Sequence, residues 1–129
     1  MRRALSADRL RANVERSIIA AERALASEDS ETVADSAYYA VFYAAWALLD
    51  ELGLPRPRTH HGLISEFSKH FVKDGPFTPA QGAVLSRLEN LRIAADYTLE
   101  PIPVHDAARA VGEARNFLEW AKRFSCRAP

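Results

Sequence analysis

The chain has 129 residues, 48% of them hydrophobic, and its 17 Lys and Arg cancel its 17 Asp and Glu. That is enough for one domain with one sizeable core. The absence of net charge excludes a protein that coats nucleic acid through bulk basicity, though not a local basic site.

One cysteine, Cys126, excludes an internal disulfide and suits a reducing compartment. No apolar run follows Arg2 and Arg3, and the longest one, residues 37–49, is shorter than the roughly 20 residues of a bilayer span. A cytoplasmic protein with no membrane association is therefore expected.

Apolar residues recur at helical spacing, and no period-2 strand pattern stands out. The first helix is predicted over residues 7–26, N-capped by Ser6, with Leu10, Val14, Ile18, Ala21 and Leu25 as its buried stripe. Arg2, Arg9, Arg16 and Arg23 repeat along it, but Asp8, Glu15 and Glu22 run beside them. The row reads as a solvated face of mixed charge before it reads as a nucleic-acid rail.

A second helix is predicted to follow Ser30 and run to about Leu52, closed by Gly53 as its C-cap. It carries Tyr38, Tyr39, Phe42, Tyr43 and Trp46 within a sector of about 140°. Most of this face is core. Buried tyrosine hydroxyls want partners, so a groove or dimer contact is the alternative for part of it, with base stacking last. Asp35 lies one turn before the tyrosines, placed to cap a helix end or to accept from an arginine.

The segment Leu54-Pro55-Arg56-Pro57-Arg58 is a stiff connector. Thr59 is the expected N-cap of a shorter third helix, which carries Leu63, Ile64, Phe67 and Phe71 and ends near Gly75. His60 and His61 fall in its first turn, where the helix dipole disfavours the cation. Neutral imidazoles there can accept protons; surface contact is the simpler reading of either one.

Thr78 and Pro79 start the fourth helix, with Val84, Leu88, Leu91 and Ala95 inward. Pro103 opens the fifth, with Val104, Ala107, Val111, Ala114, Leu118 and Ala121 inward. The expected fold is all-α, an antiparallel four-helix up-and-down bundle plus one short extra helix.

His60, His61, His70 and His105 have no metal-ligand spacing. No Ser-His-Asp or Cys-His arrangement and no glycine-rich phosphate loop is present, so neither a metal nor a cofactor is expected. What remains is Arg92. It flanks the apolar stripe of the fourth helix, a costly place for a cation that meets no anion. Glu89 and Asp96 lie within one turn and can pair with it; a phosphate is the alternative. Tyr97 sits about 140° around the wheel from Arg92 and joins it only if the helix ends first.

Four stretches, taken together and in order, carry a resemblance. They are residues 37–45 (Ala-Tyr-Tyr-Ala-Val-Phe-Tyr-Ala-Ala), Thr59-His60-His61-Gly62, Phe67-x3-Phe71-Val72-Lys73-Asp74-Gly75 and Arg92-x3-Asp96-Tyr97. The chain resembles the HEPN family, in particular its prokaryotic branch with an Arg-x-x-Ala-Asp-Tyr signature, over nearly its whole length.

The resemblance implies one HEPN-like helical domain over residues 1–129 that forms a homodimer with the active groove at the interface. It also implies RNA or a nucleotide as ligand, and a minimal nucleotidyltransferase encoded next door as antitoxin partner. Members include metal-independent ribonucleases whose motif is an arginine and a histidine separated by four to six residues. Arg92 matches the arginine; Tyr97 stands where the first permitted histidine would be. Tyrosine, with a pKa near 10, is a poor base at neutral pH, so His60 or His61 is the candidate proton carrier. The candidate catalytic set is Arg92, Asp96, Tyr97, His60 and His61, and the candidate nucleotide- or RNA-binding set is Arg92, Tyr39 and Asp35.

Three functions fit these residues. One is a toxin-like protein that binds or cleaves RNA at a dimer groove. Another is a non-catalytic subunit that binds a nucleotidyltransferase or a nucleotide. The third is a structural dimer in which Arg92 and Asp96 only close a helix end.

Overall fold

The computed structural model of the chain describes residues 2–98 and 100–125, with side chains from residue 7 onward. Among these, five α-helices form and no strand does: α1 (Arg2–Ala26), α2 (Ser30–Glu51), α3 (His60–Phe67), α4 (Pro79–Tyr97) and α5 (Val104–Phe124). The four long ones make the antiparallel bundle, and α3 is the short addition.

α2 is the axis of the bundle. Its alanines 34, 37, 40, 44 and 45 are buried on several sides, and small side chains let neighbouring helices approach closely. α1, α3, α4 and α5 all pack against it. The stripe expected on α1 holds: Leu10, Ile18 and Ala21 are buried, with Val14 and Leu25 packed against the core.

Helix starts follow the capping residues at three places. The Asp29 side chain accepts from the Thr32 backbone N–H, and the Thr59 hydroxyl from Gly62, at 2.8 Å. Thr78 forms a capping box with Gln81, with Pro79 at the first helical position. Gly53, with φ 77°, lies one residue beyond the Leu52 C-cap and supplies the left-handed turn that ends α2.

Three expectations need correction. Val104, expected inward, is 44% exposed at the first position of α5. α1 begins at Arg2 rather than after Ser6, so Ser6 lies inside the helix; the Arg-Arg-Ala-Leu segment before it is good helix former with no breaker. The third helix is not uniform either. α3 stops at Phe67 and a π-helical segment, Ser68–Lys73, continues it.

That wider segment turns Phe71 inward to stack on Phe67 at 5.3 Å, and the Phe71 carbonyl accepts from the Phe77 N–H at 2.8 Å. The chain then folds back so tightly that a Cβ on Gly75 would lie 2.5 Å from the His70 carbonyl oxygen and the Phe71 Cα. Phe67, Phe71, Phe77 and Phe117 form one aromatic cluster of the core. The tyrosines of α2 belong to another.

Candidate functional site

α4 carries Arg92 on the flank of its apolar stripe, as the spacing predicts. The side chain is 21% exposed, against 57% for Asp96, its partner one turn on. The pair is loose: Nη1 to Oδ2 is 3.6 Å. The Arg92 Nε is buried and has no hydrogen-bond partner, a condition that costs free energy. The guanidinium instead lies over two rings of α2, 5.0 Å from the Tyr38 centroid and 5.8 Å from that of Tyr39. Cation–π attraction holds it there without using up its N–H groups. The arginine is therefore fixed in place while keeping the capacity to bind an anion.

Tyr38 is fully buried, and its hydroxyl finds His60 across the loop. Oη and Nδ1 are 2.9 Å apart. The imidazole also stacks on Phe42 at 4.4 Å and meets Tyr39 edge-on. Burial lowers the His60 pKa, and the Arg92 and Arg56 charges lower it further, against an opposing pull from Glu89. His60 is thus held neutral at physiological pH. Burial, with Glu89 adding to it, raises the Tyr38 pKa, so Tyr38 stays a phenol. When its hydroxyl proton points away from Nδ1, that nitrogen carries hydrogen and Nε2 is left as a base.

The predicted residues separate in space. Arg92, His60 and Tyr39 converge on Tyr38. Asp35 and Asp96 act electrostatically on Tyr39, both opposing its ionisation; burial raises its pKa most, and Arg92 lowers it. Tyr97 is elsewhere. α4 continues regularly through it to a C-cap at Thr98, so the residue stays a third of a turn or more from Arg92's face and is 84% exposed. His61 also points away, into a cleft of about 410 Å³ with Ser65, Ser68, Gly82 and Ser86 between the third helical segment and the first half of α4.

Three residues of the site escaped the sequence reading. Tyr38 was visible only as one tyrosine among several. Glu89, noted as a partner for Arg92, acts on Tyr38 and His60 instead. Arg56 sits 4.0 Å over the Trp46 ring; the Pro-Arg-Pro-Arg run that holds it was the available signal.

Away from this site, the row on α1 is a mixed-charge face. Arg9, Arg16 and Arg23 are exposed, Asp8 pairs with Arg11, and Glu22 with Arg115 of α5. Among the described residues no helix is long and apolar enough to cross a membrane. Cys126 lies outside the described residues.

A family model described as HEPN domain matches residues 7–124. The protein named Putative toxin MJ0605, from Methanocaldococcus jannaschii, is 36% identical over 87 residues, which are 67% of this chain and 64% of that protein's length. A second protein of the same organism, named Putative toxin MJ0142, is 28% identical over 119 residues, 91% of this chain and 80% of its own length.

Proposed function

The chain belongs to the HEPN family, and on that premise we propose that it is an RNA-directed, toxin-type protein whose Arg92 holds an RNA phosphate and whose His60 moves the proton for cleavage. The observation that carries this reading is Arg92: pinned on two tyrosine rings and only loosely paired through Nη1 with Asp96. A structural ion pair has no use for spare donors; a phosphate has.

The chemistry needs two groups of the chain and a proton from solvent. Neutral His60 takes the proton of a ribose 2′-hydroxyl, and the 2′-oxygen bonds to the adjacent phosphorus. The bond to the 5′-oxygen breaks as that oxygen takes a proton from solvent. A 2′,3′-cyclic phosphate and a 5′-hydroxyl end result. Arg92 stabilises the charge that builds on the phosphate oxygens. Asp35 and Asp96 border the site and disfavour a second anion beside the first. We place this site in a groove of a homodimer, as expected of the family.

The test is cleavage of a labelled RNA in excess chelator. Wild type is expected to leave cyclic phosphate ends. Arg92→Ala is expected to lower kcat/KM by about 10²–10³, and His60→Ala by about 10²–10⁴. Full cleavage by Arg92→Ala overturns the assignment. A variant that melts early yet keeps all binding and cleavage returns Arg92 and Asp96 to a purely structural role.

One observation favours a second reading, a non-catalytic subunit that docks a minimal nucleotidyltransferase. Tyr97 stands where the family motif has histidine, and it is 84% exposed, a large aromatic surface available to a partner. That reading expects no cleavage by pure protein and a complex with the partner that Tyr97→Ala weakens.

A further inference from the structure

Beyond the Arg92 site, the same face of α2 continues along the helix. Tyr39, Tyr43 and Trp46 are partly buried, packed on the core by one side. Their rings follow one another at 5.8 Å and 6.3 Å, over a helix length of about 10 Å at 1.5 Å per residue. Arg92 lies over the first ring, and Arg56 over the last at 4.0 Å. Arg56 and Arg92 both depress the His60 pKa, so both cations act on one imidazole. The molecule has no net charge, yet it sets an arginine at each end of an aromatic row.

We propose that Tyr39, Tyr43, Trp46 and Arg56 form a base-stacking track for single-stranded RNA, leading away from the phosphate held by Arg92. The proposal rests on the RNA reading above and gives that site its substrate class: unpaired strand, several nucleotides long, with weak sequence preference. A base has a π-face whatever its identity, so aromatic rings accept it without reading it. An arginine poised on the terminal ring can stack on a base or bind the next phosphate. Duplex RNA cannot use such a row, because its bases are already stacked and paired. The connector supports the geometry: Pro55 and Pro57 flank Arg56 and restrict its backbone, and exposed Arg58 adds a second cation beside it. A purely apolar protein partner would gain nothing from arginines at the ends of the row.

The probe is a 2′-O-methyl oligouridine hexamer, which the protein cannot cleave. Its binding is followed by tryptophan fluorescence in a Trp120→Phe background, leaving Trp46 as the reporter. Wild-type track is expected to quench on binding, with single strand far tighter than duplex of the same length. Arg56→Ala, an exposed side chain with little part in folding, and Trp46→Ala are each expected to weaken binding roughly 5- to 150-fold. Anisotropy of a dye-labelled hexamer reads the variant that lacks Trp46, and circular dichroism confirms its fold. Hexamer affinity unchanged in Arg56→Ala and in a folded Trp46→Ala overturns the track, even if cleavage at Arg92 stands. Binding lost in these variants while wild type never cleaves keeps the track and removes the catalytic reading. Variants that dissociate a protein complex but bind RNA normally make the row a protein interface, which also overturns it.

Discussion

His60 is the residue whose chemistry depends most on its surroundings. Its pKa is lowered, chiefly by burial and by Arg92, so the folded protein binds this proton less readily than the unfolded chain. The linked stability is therefore complete above the unfolded histidine pKa of about 6.5 and is lost as pH falls through the lower folded value. Thermal unfolding followed from neutral pH downward should show this loss, and His60→Gln should flatten it. Activity should share the limb: cleavage that depends on neutral His60 persists somewhat below pH 6.5, about where an ordinary histidine would already be half protonated. A pH–rate profile identical in His60→Gln would remove the histidine from the mechanism. Much of this site could be anticipated from Arg92, because its place beside Leu88 and Leu91 puts a cation against the core. The Tyr38–His60 bond could not, since its partners lie 22 residues apart on different helices and only the folding of the connector brings them together.

At the scale of the elements, caps were readable and irregularities were not. Thr59 and Thr78 start helices because a hydroxyl before an apolar run satisfies free backbone N–H groups. Ser6 looks equally suitable, but good helix formers precede it and the helix passes through. The turn between α1 and α2 hides a different irregularity. Glu28 adopts φ 58°, a left-handed conformation that costs a residue with a Cβ about 1–2 kcal/mol. The backbone bonds from Glu28 and Asp29 to Leu25 and Ala24 hold it there. Glu28→Gly should raise stability, by up to about 1 kcal/mol after the extra freedom glycine gains in the unfolded chain is subtracted. Chemical denaturation would register this as a higher midpoint with an unchanged slope. Gly75→Ala should do the opposite, since its Cβ would meet backbone rather than a movable side chain; loss of several degrees in melting temperature is the expected reading.

Across the whole molecule, the two aromatic clusters divide the work. The phenylalanine cluster, centred on fully buried Phe117, touches none of the site residues in its ring contacts. Phe117→Ala should cost about 3–5 kcal/mol, a large part of the 5–15 kcal/mol typical of a folded domain. At a temperature where the variant remains folded, its RNA affinity should match wild type. The tyrosine cluster should behave the other way, with changes at the partly exposed Tyr43 moving affinity more than melting temperature. Sedimentation velocity is expected to show a dimer at micromolar concentration; a monomer that binds and cleaves RNA would confine the entire site to one chain. The all-helical plan was legible because hydrophobic periodicity is a local signal. Which face of α2 is left partly open is not local: it depends on where α1, α4 and α5 end up.

The π-helical segment at residues 68–73 has a further consequence for how this gene can change. A π turn behaves as an α-helix carrying one extra residue. Losing that residue would restore regular winding and close the wider turn that sets the facing of residues 68–73. Phe71 would swing off Phe67, and Val72 would leave Gly82, where its methyl already occupies the space a Cβ would need. A single-codon deletion here is thus not a trimmed helix but a repacking of the core around Phe67 and Gly82. Tolerated changes in length belong instead in the connector between α4 and α5.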